Sequence, residues 1–174
     1  MALKQYNLEE EEERLGQFIL YMKDAFFPFL RHANTQGYQL NEAHTLDSLE
    51  DLERYIREKK ISLDGASDAA LLVRYNCWYY LGEVMRRNFG GSWEFSMDQE
   101  NDGNWGEYVI VGHSPVQGLE FVPERLFRAF ILRGYKPGMF RKGIFNQVKP
   151  EPVDLSELAK EQEEEDRLTG GLPE

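Results

Sequence analysis

Apolar positions along this chain fall into helical and strand-like blocks separated by turn-rich stretches. The strongest block is Ser67 to Trp93, SDAALLVRYNCWYYLGEVMRRNFGGSW. Leu71, Tyr75, Trp78, Gly82, Met85 and Phe89 recur at alternating spacings of four and three, which puts them on one helical face. Leu72, Tyr79 and Val84 widen that face. Asp64 or Ser67 can cap the start. Arg86 and Arg87 fill the last turn, where positive charge suits the helix dipole. Gly90 can take the positive φ that ends a helix. The pattern predicts a long central helix over residues 67–89.

Two further helices are predicted before it. Asn7 and Glu10 fit a capping box. Leu15, Phe18, Ile19, Met22, Phe26 and Phe29 then follow with helical spacing, and Pro28 is expected to kink or end this helix near Phe27. Residues 32–45 read as a loop. Thr45 or Asp47 can cap the next helix, in which Leu46, Leu49, Leu52, Tyr55 and Ile56 face inward while Glu50, Asp51, Glu53 and Arg57 face water.

After the double glycine the period changes from helical to alternating. Trp93, Phe95 and Met97 alternate with Glu94 and Ser96, as in a half-buried strand. A turn-rich loop, DQENDGN, leads to WGEYVIVG. There Val109 and Val111 share one face while Tyr108 and Ile110 share the other, so that strand should be covered on both sides. An antiparallel hairpin follows, with a short third strand within Leu119–Val122. Pro123 opens a helix that Gly134 ends, with Phe127, Phe130 and Ile131 inward. From Tyr135 the pattern reads as irregular, and Asp154 can start a short helix with a Leu155–Leu158 contact. These blocks define an α+β fold: several helices packed on a small antiparallel sheet. Residues 1–144 form one domain, and residues 145–174 form an acidic tail that is partly disordered or docked.

Charge sharpens this division. The chain of 174 residues has 20 basic and 31 acidic side chains, a net charge of −11. Residues 1–13 hold Lys4 against the run Glu9 to Glu13, and residues 145–174 hold three basic and nine acidic side chains. The acidity is therefore concentrated at the ends. Such a surface repels phosphate backbones and attracts basic protein surfaces. Hydrophobic content of 41% supports a folded core. No apolar run is long enough to span a bilayer. The single cysteine and the absence of a visible secretory signal favour a reducing cytoplasm.

Candidate chemistry is sparse. No phosphate-binding glycine loop and no nucleophile elbow occurs. Cys77 lies between large aromatics in the central helix and reads as inert core. His32, His44 and His113 lack the spacing of a zinc site. Asp98, Glu100 and Asp102 followed by Gly103 copy the first half of a calcium loop, but the bidentate position falls on Val109. No metal or cofactor is therefore expected. Glu83 can act as a general base or pair with Arg86 or Arg87. Between Arg125 and Lys142 six basic residues stand together, able to hold an anion or the acidic tail.

The stretch Tyr80-Leu81-Gly82-Glu83 followed by Gly90-Gly91-x-Trp93 resembles a motif of small bacterial proteins of unknown function. In these a helix bearing Y-L-G-E runs into a G-G-x-W turn and an antiparallel sheet. Some are encoded beside toxin genes and look like immunity proteins. The resemblance covers residues 67–134. It implies a non-enzymatic protein that neutralises a basic toxin domain by direct binding. On the hairpin, Trp105 and Tyr108 form a candidate aromatic centre, ringed by Glu94, Asp98, Glu100, Asp102 and Glu107. The competing expectations are a small hydrolase or ligand-binding domain using Glu83, His113 or the acidic loop, and an adaptor in a bacterial assembly.

Overall fold

The computed structural model describes residues 2–150 together with Ser156, Ala159, Lys160 and Arg167. Among residues 2–150, five α-helices, one 3-10 turn (Gln99–Asn104) and three strands form an α+β fold. Helices α1 (Leu8–Thr35), α2 (Ser48–Glu58) and α3 (Asp68–Phe89) come first. Strands β1 (Ser92–Phe95), β2 (Tyr108–Val111) and β3 (Glu120–Phe121) follow, then helices α4 (Pro123–Leu132) and α5 (Met139–Val148). The strands pair antiparallel in the order β1-β2-β3. The helix expected from Asp154, with its Leu155–Leu158 contact, and most of the acidic tail lie outside the described residues. Among the described residues no helix is long and apolar enough to cross a membrane.

Helix α3 is the centre of the molecule, touching α1, α2, α4, α5 and β2. Its Ser67 hydroxyl caps the Ala70 N–H at 3.2 Å, and Gly90 ends it at φ +88°. From Asn76 to Met85 every residue is buried. A helix enclosed all round needs apolar residues on more than one face, which is why Leu81 and Cys77 are as deeply buried as Trp78 and Met85. Trp93 pairs with Ile110 across the sheet, and Ile110 with Phe121. Val109 and Ile110 point to opposite faces and both are fully buried, so β2 is covered on both sides.

Three expectations are corrected. Helix α1 does not end at Phe27: it runs through Pro28 to Thr35, and the loop begins only after that. A mid-helix proline costs about 3 kcal/mol. Phe29, Leu30 and Ala33 beyond it are buried in the core, and burying large apolar side chains at about 1.5–3 kcal/mol each offsets that cost. Glu53 does not face water. It is buried, and its two carboxylate oxygens accept the N–H groups of Gly138 and Phe140 at 2.8 Å each. It thereby caps the start of α5, whose own N-cap residue is a glycine without a side chain. Finally, the stretch read as irregular after Tyr135 contains α5, which buries Phe140 and Ile144 one turn apart. Gly143 makes this possible, because a Cβ there would collide with Leu126 of α4.

Candidate functional site

The sequence motif is knitted together by side chains. Tyr80 donates to the Ser48 hydroxyl at 2.7 Å and receives the Asn41 N–H at 3.1 Å, tying α3 to the α1–α2 loop. Gly82 lies beneath the Trp93 ring, where a Cβ would overlap the indole. Glu83 accepts two hydrogen bonds from Arg86, at 2.9 and 2.8 Å, and one from the Trp93 indole at 2.9 Å. Gly91, at φ +100°, packs against the Val111 carbonyl where no side chain fits. Tyr80, Gly82, Glu83, Gly91 and Trp93 are thus the joint between the central helix and the sheet.

This joint fixes the chemistry of Glu83. Burial pushes its carboxyl up, but hydrogen bonds from Arg86 and Trp93 outweigh burial and leave it below the usual carboxylate range. A carboxylate held ionised by three donors is a poor proton acceptor at neutral pH. Cys77 is fully buried and its thiol is pushed up by burial, so it is held as the unreactive thiol. His113 is buried, with Nε2 3.3 Å from Gln147 Oε1 and the ring against Phe121. It is not brought to Glu83.

The hairpin residues divide into two groups. Trp105 and Tyr108 are half-buried and engaged within the chain. The Trp105 indole donates to the Lys4 carbonyl at 2.7 Å. Tyr108 packs against Phe18 and Phe95 at ring separations of 5.3 and 6.2 Å. By contrast Glu94, Glu100 and Asp102 are exposed. Asp98 is half-exposed and caps the Glu100 N–H at 3.0 Å. Among the described residues no three histidine, cysteine, aspartate or glutamate side chains converge as a metal-ligating group. Burial raises the Glu107 carboxyl, with Glu124 adding to the effect and Arg125 and Arg128 opposing it. The loop is held from behind: Glu120 of β3 accepts from Ser96, Asn101 and Asn104, and Arg125 donates to Asn104 Oδ1 and the Gly103 carbonyl.

Two acidic stretches remote in sequence meet here. Tyr6 lies edge-on to Phe95 at 5.0 Å, so the start of α1 is seated on the hairpin. Glu12 of the N-terminal acidic run and Glu94 of β1 line one groove of about 410 Å³, whose floor includes Leu8, Leu15, Ile19, Trp93 and Met97. Glu11 and Glu107 share a neighbouring cavity of about 320 Å³. The basic segment is occupied elsewhere: Arg141 binds Glu50 and Asp47 of the α2 region, and Arg128 binds Glu124.

Sequence reasoning weighed His44 only as a zinc ligand and did not place it at a site. It is 3% exposed and sits at φ +53° in the loop between α1 and α2. Its ring lies between Phe26, at 4.9 Å, and Tyr80, at 4.7 Å. Nδ1 is 2.9 Å from the Glu42 carbonyl, and Nε2 is buried without a partner among the described residues. Leaving a buried polar atom unpaired costs about 1–3 kcal/mol. The available signals were the turn-rich surroundings and the tyrosine of the Y-L-G-E motif, neither of which points to a histidine 36 positions before Tyr80.

No protein-family model, no curated protein and no solved structure matches this chain.

Proposed function

We propose that this chain is a non-enzymatic protein-binding protein, an immunity-type inhibitor that neutralises a basic toxin domain by direct contact. The observation that carries this reading is an apolar groove flanked by Glu12 of the N-terminal acidic run and Glu94 of β1, on a hairpin that also exposes Glu100 and Asp102. An apolar centre inside an acidic rim suits a basic protein partner: buried apolar residues supply affinity and the rim supplies steering and orientation. The groove floor of Leu8, Ile19, Trp93 and Met97 is the favoured contact centre, with Glu12 and Glu94 at its edge and Asp98, Glu100 and Asp102 further along the hairpin. Trp105 and Tyr108 support that surface from within.

The state of the reactive groups favours the same reading. Glu83, one of the candidates for the competing hydrolase reading, is held as a structural carboxylate by Arg86 and Trp93, which supports the binding reading. The experiment is a neutralisation assay in the source cell: the gene beside this one is expressed alone and then together with this protein. The reading expects growth inhibition by the neighbour and relief on co-expression. An inert neighbour, or inhibition that persists despite a folded protein, contradicts it.

A further inference from the structure

A second cavity, of about 320 Å³, lies between α1, the α1–α2 loop and α3. That is large enough for a small organic ligand. Its walls are chemically mixed. Phe26, Phe27 and Tyr79 are aromatic, and Phe27 is 52% exposed although it adjoins the core.

His44 lines this cavity, and its Nε2 is buried without a partner among the described residues. The Glu42 carbonyl can only accept, so the His44 proton is on Nδ1 and Nε2 is a bare acceptor. Burial also keeps the ring neutral at pH 7. The left-handed backbone at His44 differs in kind from that at Lys60 and Tyr135, the other two non-glycine cases among the described residues, which each follow a helix end. A backbone held there in the middle of a loop fixes the ring, and such conformations cluster at binding sites.

The charged groups around the cavity are of both signs. Lys23 makes no ion pair among the described residues, and Arg87 reaches Glu83 only at 3.6 Å. Glu83 itself is satisfied by Arg86 and Trp93. Glu42 is an exposed carboxylate on the same cavity. A simple anion would meet Glu42, and a simple cation would meet Lys23 and Arg87. A ligand with both charges and an apolar body satisfies all of them.

We propose that this cavity binds a free apolar α-amino acid, with its ammonium at His44 Nε2 and Glu42, its carboxylate at Lys23 and Arg87, and its side chain against Phe27 and Tyr79. This site stands independently of the toxin-binding reading, since it uses none of the acidic groove residues.

The test is a titration of the full chain with leucine, valine and phenylalanine, followed by long-range ¹H–¹⁵N NMR of the histidine rings. The expected result is a His44 Nε2 resonance of unprotonated nitrogen that moves on addition of at least one of these amino acids. The matching amine without a carboxylate and the N-acetylated amino acid should each bind at least about tenfold more weakly. Lys23→Gln and Arg87→Gln should weaken binding about tenfold while leaving the melting temperature nearly unchanged, because both side chains are exposed. The proposal is overturned if Nε2 is protonated in the free protein, if no free amino acid shifts it, or if the truncated ligands or the two variants bind as the originals do.

Discussion

The indole N–H of Trp105 donates to the carbonyl of Lys4 at 2.7 Å, joining residues 101 positions apart. Through this bond and the Tyr6–Phe95 ring contact, the segment before α1 is fastened to the hairpin. This fastening adds to the packing of α1 on β1, which sets Glu12 in one groove with Glu94.

Trp105→Phe keeps an aromatic ring and removes the donor. A single hydrogen bond of this type is worth about 1 kcal/mol net. Limited proteolysis within residues 3–7 should accelerate severalfold while the α3 core is unchanged. Identical cleavage rates in the two proteins would mean that the N-terminal segment is held by other contacts.

The Gly82–Glu83–Trp93 joint makes a sharper claim on stability. Gly82→Ala forces the Trp93 ring aside, and overpacking of this kind costs about 1–3 kcal/mol. Glu83→Gln removes the charge that Arg86 and Trp93 both bind, at about 2 kcal/mol. In a double-mutant cycle, Glu83→Gln and Trp93→Phe should be non-additive by at least about 0.5 kcal/mol in denaturant unfolding. Strict additivity would show that the two residues do not act on one another.

Trp78 is buried, stacked on Phe18 at 5.2 Å. Trp78→Ala should cost about 3–5 kcal/mol, the range for removing a large buried aromatic. A near-neutral substitution, measured by urea midpoint, would be inconsistent with α3 as the centre of the core.

Acid should destabilise the fold, beginning at the two buried histidines. Burial holds His44 and His113 below the ordinary histidine value of 6.5. The unfolded chain therefore takes up their protons first as pH falls. Their contribution to stability is full above about pH 6.5 and is lost as pH drops through their lower folded values. Glu83, also depressed, adds a loss of the same sign further down, below its ordinary 4.5. Glu53 and Glu107, raised by burial, act with the opposite sign above pH 4.5 and so offset part of the histidine loss, not the later loss at Glu83. The melting temperature should fall between pH 7.5 and 5.5, and His44→Gln with His113→Gln should flatten that slope. An unchanged slope in the double variant would place the acid-sensitive groups elsewhere.

Local periodicity was enough for α3, the hairpin, β3 and α4, because each is bounded by its own cap or glycine and buries a regular pattern. It was not enough where the deciding partner is distant. Pro28 is a stop signal locally, and only the packing of Phe29, Leu30 and Ala33 overrides it. Glu53 sits on a charged stretch of helix, and the N–H groups it caps are 85 and 87 positions away. Helix α5 contains Gly143, a poor helix former in isolation, and its helical state follows from the close approach to Leu126. For the site, the acidic hairpin was legible as composition. Its junction with Glu11 and Glu12, and the burial of His44 against Tyr80, depend on tertiary contacts with no local trace.

The most direct test of the central claim is the association rate of this protein with the toxin domain proposed as its partner, measured against ionic strength. The wild-type rate should fall steeply as salt rises, since exposed charges steer the encounter within a Debye length of about 8 Å at physiological salt. A variant carrying Asp98→Lys and Asp102→Lys, both away from the core, should associate at least about tenfold more slowly at low salt and lose most of that salt dependence. A variant that binds as fast as wild type, with the same salt dependence, would contradict the acidic hairpin as the partner-binding surface.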